Sequence, residues 1–239
     1  MKFVQAQFSL KYEPQVMIRR HVNEIEDFTK GYYGVPQTVP IPDEIAPDAP
    51  RVILDALNGH SQIRFSQISV DCTIQFDGEY LENFECTKKY IMERIALLKK
   101  ILENMDIKTY YFCGITYNIH LDIEEKEPVE YMRTILNNEN LTIGDLYEVS
   151  IRSAKIEDNC YFVNQQIGTY REYQGNKGNI VDLFDFSSAH LISHGVNLTL
   201  DINNRYKYLH SGMSTSIDDS LVSVEKIYEL LEKNIQKWR

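Results

Sequence analysis

The sequence has no apolar run near the roughly 18 residues that a membrane-spanning helix requires, which argues against an integral helical membrane protein. It is short of positive charge. Its 25 lysines and arginines face 35 aspartates and glutamates, a formal net charge of −10 with a pI near 5.1. Such a balance argues against general affinity for nucleic acid or an anionic membrane. Cysteine is sparse as well. Cys72, Cys86, Cys113 and Cys160 stand far apart with no C-x-x-C spacing, which excludes a local zinc knuckle or a thioredoxin-type pair. They read as reduced thiols acting as small hydrophobes. The opening MKFVQAQFSLKY lacks the apolar core of a signal peptide, and a cytoplasmic protein is expected.

Clustered glycines are missing too. A phosphate-binding loop needs them, because only glycine lets backbone amides close around a phosphate. The nearest stretch, Gly168 to Gly178, has the wrong spacing and opens no helix. Neither G-x-S-x-G nor H-E-x-x-H occurs. No catalytic residue and no cofactor is assigned on these grounds.

What is present is an ordinary globular composition of 239 residues, 43% hydrophobic and 25% charged, enough for one large domain or two small ones. Alternation predicts a strand from Phe3 to Tyr12, and a helix is expected from Gln15 to Thr29 with Val16, Arg19, Val22 and Ile25 in register. Residues 31–50 hold five of the seven prolines and read as an extended segment lying on the body, with Tyr32, Tyr33 and Ile41 pressed down. Arg51 to Leu57 and Gln62 to Phe76 form a strand pair about Asn58-Gly59, a strong hairpin signal. A long helix follows from Glu79 to Asn104 with the stripe Leu81, Phe84, Ile91, Ile95, Leu98 and Leu102.

The second part repeats the order. Lys108 to Ile123 is a strand, expected to be central because it is long, aromatic and almost uncharged. Pro128 opens a short helix, and Leu146 to Ile156 with Tyr161 to Tyr173 make another hairpin. A last strand runs from Val196 to Tyr208. Ser216 and Asp219 resemble a capping box before a closing helix with Leu221, Val224, Tyr228, Leu231, Ile235 and Trp238. The fold class is α+β, mostly antiparallel with helices grouped on one face. Two related halves are expected, 1–105 and 106–239. A local echo, N-x-x-L-D-I at Asn118 and again at Asn197, points the same way.

Three clusters could carry function. His120, Asp122 and Glu124 alternate along one strand, so they share a face. A histidine with two carboxylates at that spacing could hold a divalent cation or supply an acid–base pair. The same pattern also describes the polar outer face of a half-buried strand, and that plainer account is preferred. His190, His194 and His210 with Ser187, Ser188 and Ser193 form a loose group, and nearness in sequence does not by itself bring a serine, a base and an orienting carboxylate together in space. Sixteen tyrosines suit either sheet packing or protein interfaces. On the closing helix, Val222, Ile227 and Leu230 widen the apolar arc, which suggests a homodimer with Tyr228, Leu230 and Trp238 at its interface.

The run from Pro47 has the form P-x-x-P-R-x-x-L, followed by N-G-H-S and a long strand; L-D-I-N stands at Leu200 to Asn203 before a capped terminal helix. In these segments the chain resembles a sporadically distributed family of bacterial proteins without a settled activity. The resemblance implies a bacterial or phage origin, a two-part α+β body and the patchy inheritance typical of phage defence. It carries over no functional residue. The expectation is therefore a non-enzymatic protein-binding or assembly protein. The alternative is a metal-dependent hydrolase using His120, Asp122 and Glu124.

Overall fold

Alternation in the first strand sets the frame. β1 (Lys2–Tyr12) buries Phe3, Ala6, Phe8, Leu10 and Tyr12 on one side and turns Gln5, Gln7 and Ser9 to the other. A bulge between Phe3 and Gln5 re-phases the pattern. β6 (Thr109–Asp122) likewise buries Cys113, Ile115, Tyr117, Ile119 and Leu121. The two strands lie antiparallel, with Phe8 opposite Ile115. A computed structural model describes residues 1–123, 127–136, 147–174 and 190–238, and in it one antiparallel sheet grows outward from this pair.

On one side of the pair, β3 (Val52–Asp55), β4 (Ser61–Phe65) and β5 (Ser69–Gln75) form a meander whose last strand joins β1. On the other, β7 (Ser150–Glu157), β8 (Tyr161–Gln174) and β9 (His190–Asn203) form a meander whose last strand joins β6. With β2 (Gln37–Thr38) at one edge, the order is β2-β3-β4-β5-β1-β6-β9-β8-β7, and β10 (Thr215–Ser216) pairs with one end of β6. Each half thus runs strand, helix, three-stranded meander, long helix. Its helices are α1 (Val22–Thr29) and α2 (Phe84–Asn104) in the first half, α3 (Pro128–Leu136) and α5 (Ser220–Ile235) in the second. The fold is α+β and the sheet is continuous across residues 105 and 106. β6 is central, as expected.

α2 and α5 pack against the apolar face of the sheet. α2 is capped by Asn83, whose Oδ1 accepts from the Cys86 amide at 3.1 Å, and it buries Phe84, Ile91, Ile95, Leu98 and Leu102. α5 buries Val224, Ile227, Tyr228, Leu230, Leu231 and Ile235. Several tyrosines fix helices to sheet, because a buried ring must still satisfy its hydroxyl. The Tyr117 hydroxyl lies 3.2 Å from Thr87 Oγ1 and 3.3 Å from the Tyr228 hydroxyl. Tyr110 donates to Ser223 at 2.8 Å, and Tyr12 donates to the carbonyls of Ser66 and Ser69.

Five boundaries differ from the sequence-based expectation. The run Gln62 to Phe76 is two strands, since Ser66 Oγ accepts from the amides of Ile68 and Ser69 and turns the chain. The strand expected to reach Tyr208 ends at Asn203. Asn204 then bonds the Cys113 amide at 2.8 Å through its side chain, and α4 (Arg205–Ser211) follows, closed by Gly212 at φ +66°. The first helix is a 3-10 turn over Ile18–His21 followed by α1, with Ile18 and Ile25 buried and Val16 exposed. Before α2 stands another 3-10 turn, Gly78–Leu81. Ser216 caps a third, Ile217–Asp219, instead of α5 itself.

The proline-rich segment is held by arginine more than by apolar burial. Tyr33 is buried, but Tyr32 and Val35 are exposed. An extended proline-rich chain has no internal hydrogen bonds, so its carbonyls are free to accept. Arg51, fully buried, donates to the carbonyls of Ala49 at 2.9 Å, Ile45 at 2.7 Å, and Pro42 and Ala46 at 3.2 Å. Arg19 donates to the carbonyls of Val39 and Ile41. Asp43 sits between the two guanidinium groups, paired with Arg19 and 3.4 Å from Arg51 Nε. Arg51→Met is expected to destabilise the protein by about 3 kcal/mol, because four backbone carbonyls and Asp43 lose the one buried guanidinium that gathers them. Denaturant melts and limited proteolysis check this, with new cleavage expected within residues 39–49. Arg51→Lys restores little, since an ammonium lacks the planar fork.

Candidate functional site

The sheet face opposite α2 and α5 is polar, because alternation sends the non-core residues of every strand there. Side chains bond across strands along it. Asn118 donates to Gln5 at 2.7 Å and accepts from Thr199 at 2.8 Å. Asp201 accepts from Asn164 at 2.8 Å, Asn203 at 3.1 Å and Thr116 at 3.3 Å. Asp71 accepts from Ser9 and Ser69. The echoing N-x-x-L-D-I segments therefore lie on neighbouring antiparallel strands, β6 and β9, at non-equivalent places in the two halves.

At one end of this face α4 folds over. Arg205 stands over the Phe112 ring, 5.6 Å from its centroid, and Tyr206 meets Phe162 edge-on. A cavity of about 370 Å³ elsewhere lies between the ends of the long helices, near Phe84 and Ile235. A smaller one of about 230 Å³ lies beneath α4, lined by Gln7, Ser9, Phe112, Gly114, Asp201 and Arg205. Gly114 is needed there, since a Cβ at its position would fall 2.6 Å from the Cβ of Asn203.

His120 and Asp122 sit at the opposite end and share the polar face, as their spacing predicts. Asp122 is engaged on both oxygens: Lys2 forms an ion pair at 2.5 Å and the Tyr170 hydroxyl donates at 2.5 Å. His120 stacks on Tyr170 with ring centroids 4.1 Å apart. Burial raises the Asp122 pKa, but Lys2 and the Tyr170 hydroxyl outweigh it, so the carboxyl lies below its ordinary value. Burial holds the His120 imidazole below its ordinary value, against the pull of Asp122. The Tyr170 hydroxyl is pushed up by burial and by Asp122. The result is a neutral imidazole beside a closed ion pair. A cation at Asp122 would have to displace the Lys2 ammonium. Glu124 lies outside the described residues, and among those described no three histidine, cysteine or acidic side chains are placed to share a metal.

The other clusters are dispersed. His194 lies on β9, whereas His210 lies on α4 stacked on Tyr206. Ser193 donates to Glu172, and Ser187 and Ser188 fall outside the described residues. Cys72 and Cys113 are buried, and burial pushes each thiol up to about 12. Cys86 and Cys160 are partly exposed, and all four thiols are free. On α5, Tyr228 and Leu230 are buried in the chain's own core, as is Ile227; Trp238 packs partly against it. The wide apolar arc is filled by the sheet and α2, leaving Val222 exposed. The arc therefore leaves no surplus apolar surface at Ile227 or Leu230.

Sequence reasoning missed two features. One is the place of β7: the hairpin with β8 was expected, but not that β7 stands at the margin, with nothing on its other side among the described residues. The other is Arg94, buried within the apolar stripe of α2. Its spacing from Ile91 and Leu98 was the available signal. Comparison with protein-family models and with curated proteins finds no match to the chain.

The imidazole gives a pH test. A histidine whose folded pKa is depressed stabilises the fold fully above its unfolded value, near 6.5, and that contribution fades as pH falls through the folded value. Asp122 adds a second loss at lower pH, below about 3.8, where its ion pair is protonated. In an NMR titration His120 is expected to titrate below pH 6.5. His120→Gln is expected to flatten the first decline in stability while leaving the second.

Proposed function

We propose that the protein is a non-enzymatic binding or assembly protein, of the bacterial or phage kind that the sequence resemblance implies, and that its partner is a protein strand. The edge of β7, unpaired among the described residues, carries this reading. An unpaired edge presents a row of amide and carbonyl groups that another strand can complete. β7 is eight residues long, largely exposed, and has Ile156 facing solvent. The far edge is different: β2 covers β3 for only two residues, and the arginine-held proline segment continues alongside, with the Val39 amide donating to the Arg51 carbonyl.

A second copy of the chain is a partner that this edge fits. Two β7 strands can pair antiparallel about a two-fold axis at Ala154. Arg152 then stands opposite the other copy's Ile156 and Lys155 opposite its Ser153, so no like charges meet directly across the seam. The polar sheet face supports a binding role over catalysis, since its side chains are spent largely on one another.

Sedimentation at micromolar concentration tests this. A dimer is expected for the native chain, and a species at 28.0 kDa for one of the variants Ser153→Pro and Ala154→Pro. Of two adjacent strand amides, one points away from β8, and proline there blocks an added strand while sparing the inner ladder. A dimer indifferent to both variants overturns the edge. A native species at 28.0 kDa throughout overturns self-pairing.

A further inference from the structure

Arg94 occupies a position that the helix pattern reserves for an apolar side chain. It lies on the buried face of α2 between Ile91 and Leu98 and is only 9% exposed. Its charge has no carboxylate partner among the ion pairs of the described residues, and its Nε, also buried, has no hydrogen-bond acceptor. Buried charges are ordinarily paired, because an uncompensated one loses its hydration without return.

Three tyrosine rings surround the guanidinium instead. Its central carbon is 4.6 Å from the Tyr90 ring centroid, 5.1 Å from Tyr32 and 5.6 Å from Tyr33. Tyr33 and Tyr90 are held in place through Ser61, whose hydroxyl lies 2.9 Å from one phenol and 3.3 Å from the other. Ring faces stabilise a cation but accept poorly from in-plane N–H groups. The guanidinium also hydrogen-bonds the Tyr90 hydroxyl, so the arrangement secures the charge while the buried Nε is left unmet. That fork matches a carboxylate, two N–H groups to two oxygens.

Arg94 also forms part of the wall of a groove between α1 and α2, about 460 Å³ in volume, within the range of small-molecule sites. Phe28, Tyr32 and Leu97 give it apolar sides. Phe28 and Tyr32 are exposed there, Tyr32 by 57%. Lys100 adds a second cation and Glu93 an anion at the rim. We infer that this groove binds an amphipathic carboxylate, an acid whose anionic head meets Arg94 and whose aliphatic or aromatic body lies between Phe28, Tyr32 and Leu97. The head can belong to a free organic acid or to the C-terminus of a peptide. The site is separate from the β7 edge and does not depend on it.

Calorimetric titration with 4-phenylbutyrate and with its primary amide tests the head group. The acid is expected to bind at least tenfold more tightly than the amide and to shift the Arg94 Nε–H resonance. A short peptide ending in leucine, with a free or an amidated C-terminus, distinguishes the sources. Tighter binding of the free-terminus peptide than of phenylbutyrate assigns the head to a chain end, and the reverse assigns it to a free acid. Arg94→Met is expected to abolish the preference for acid over amide. Should that variant fail to fold, Tyr32→Ala, at an exposed ring, is expected to weaken acid binding several-fold while the chain stays folded, as circular dichroism checks. Equal binding of acid and amide, no binding of either acid, or binding unaffected by the substitutions overturns the inference.

Discussion

The pairing of β1 with β6 is the constraint on which the rest of the structure depends. Each strand is the first element of its half, and each receives the last strand of a meander on its outer side. Without the central ladder, both would be edges with apolar faces and unpaired amides. With it, Phe3, Phe84, Tyr117 and Tyr228 form a connected aromatic cluster, centroids 5.5 to 6.4 Å apart, at the junction of sheet and both long helices. The core is thus shared between the halves, and the long helices of both lean on the same rings.

The repeated plan also explains why the two faces differ. Helices α2 and α5 leave their meanders toward the same side, so one face becomes core throughout. The other face is left to amides, hydroxyls and a few carboxylates. Those groups are satisfied by one another across strands, as at Asn118 and Asp201. Such a lattice gives register to the strands, because a one-residue slip would move every polar side chain to the core.

Much of this was legible in the residues. The alternation of β6 and the three-and-four spacing of α2 depend on local burial, so strand, helix and their faces could be read directly. The Asn58-Gly59 turn was equally plain, with Gly59 at φ +75°. What could not be read depended on distant partners. Ser66 turns the chain through hydroxyl bonds that strand propensity does not register. Asn204 ends β9 by bonding a backbone amide on β6. Arg51 and Arg19 order the proline segment by collecting its carbonyls, although that segment seemed to need apolar burial. At the polar end, spacing alone put His120 and Asp122 on one face. Lys2 and Tyr170, which determine what Asp122 can do, come from other strands. The closing helix misled for a related reason: an arc that looked too wide for one surface has two to meet, the sheet and α2.

The two ends of the sheet are unlike, and this bears on stoichiometry. A sheet with two open margins can add strands without limit, head to tail, and so grow into a fibre. Here the proline segment occupies one margin, and proline offers no amide to a further strand. Among the described residues that leaves a single margin, β7, and so a valence of one. Any assembly that recruits this margin consumes it, and the product has no vacant strand from which to extend. A closed pair is the largest object such pairing can build. The buried Arg51, by fastening the segment that blocks the far side, would keep any such association finite.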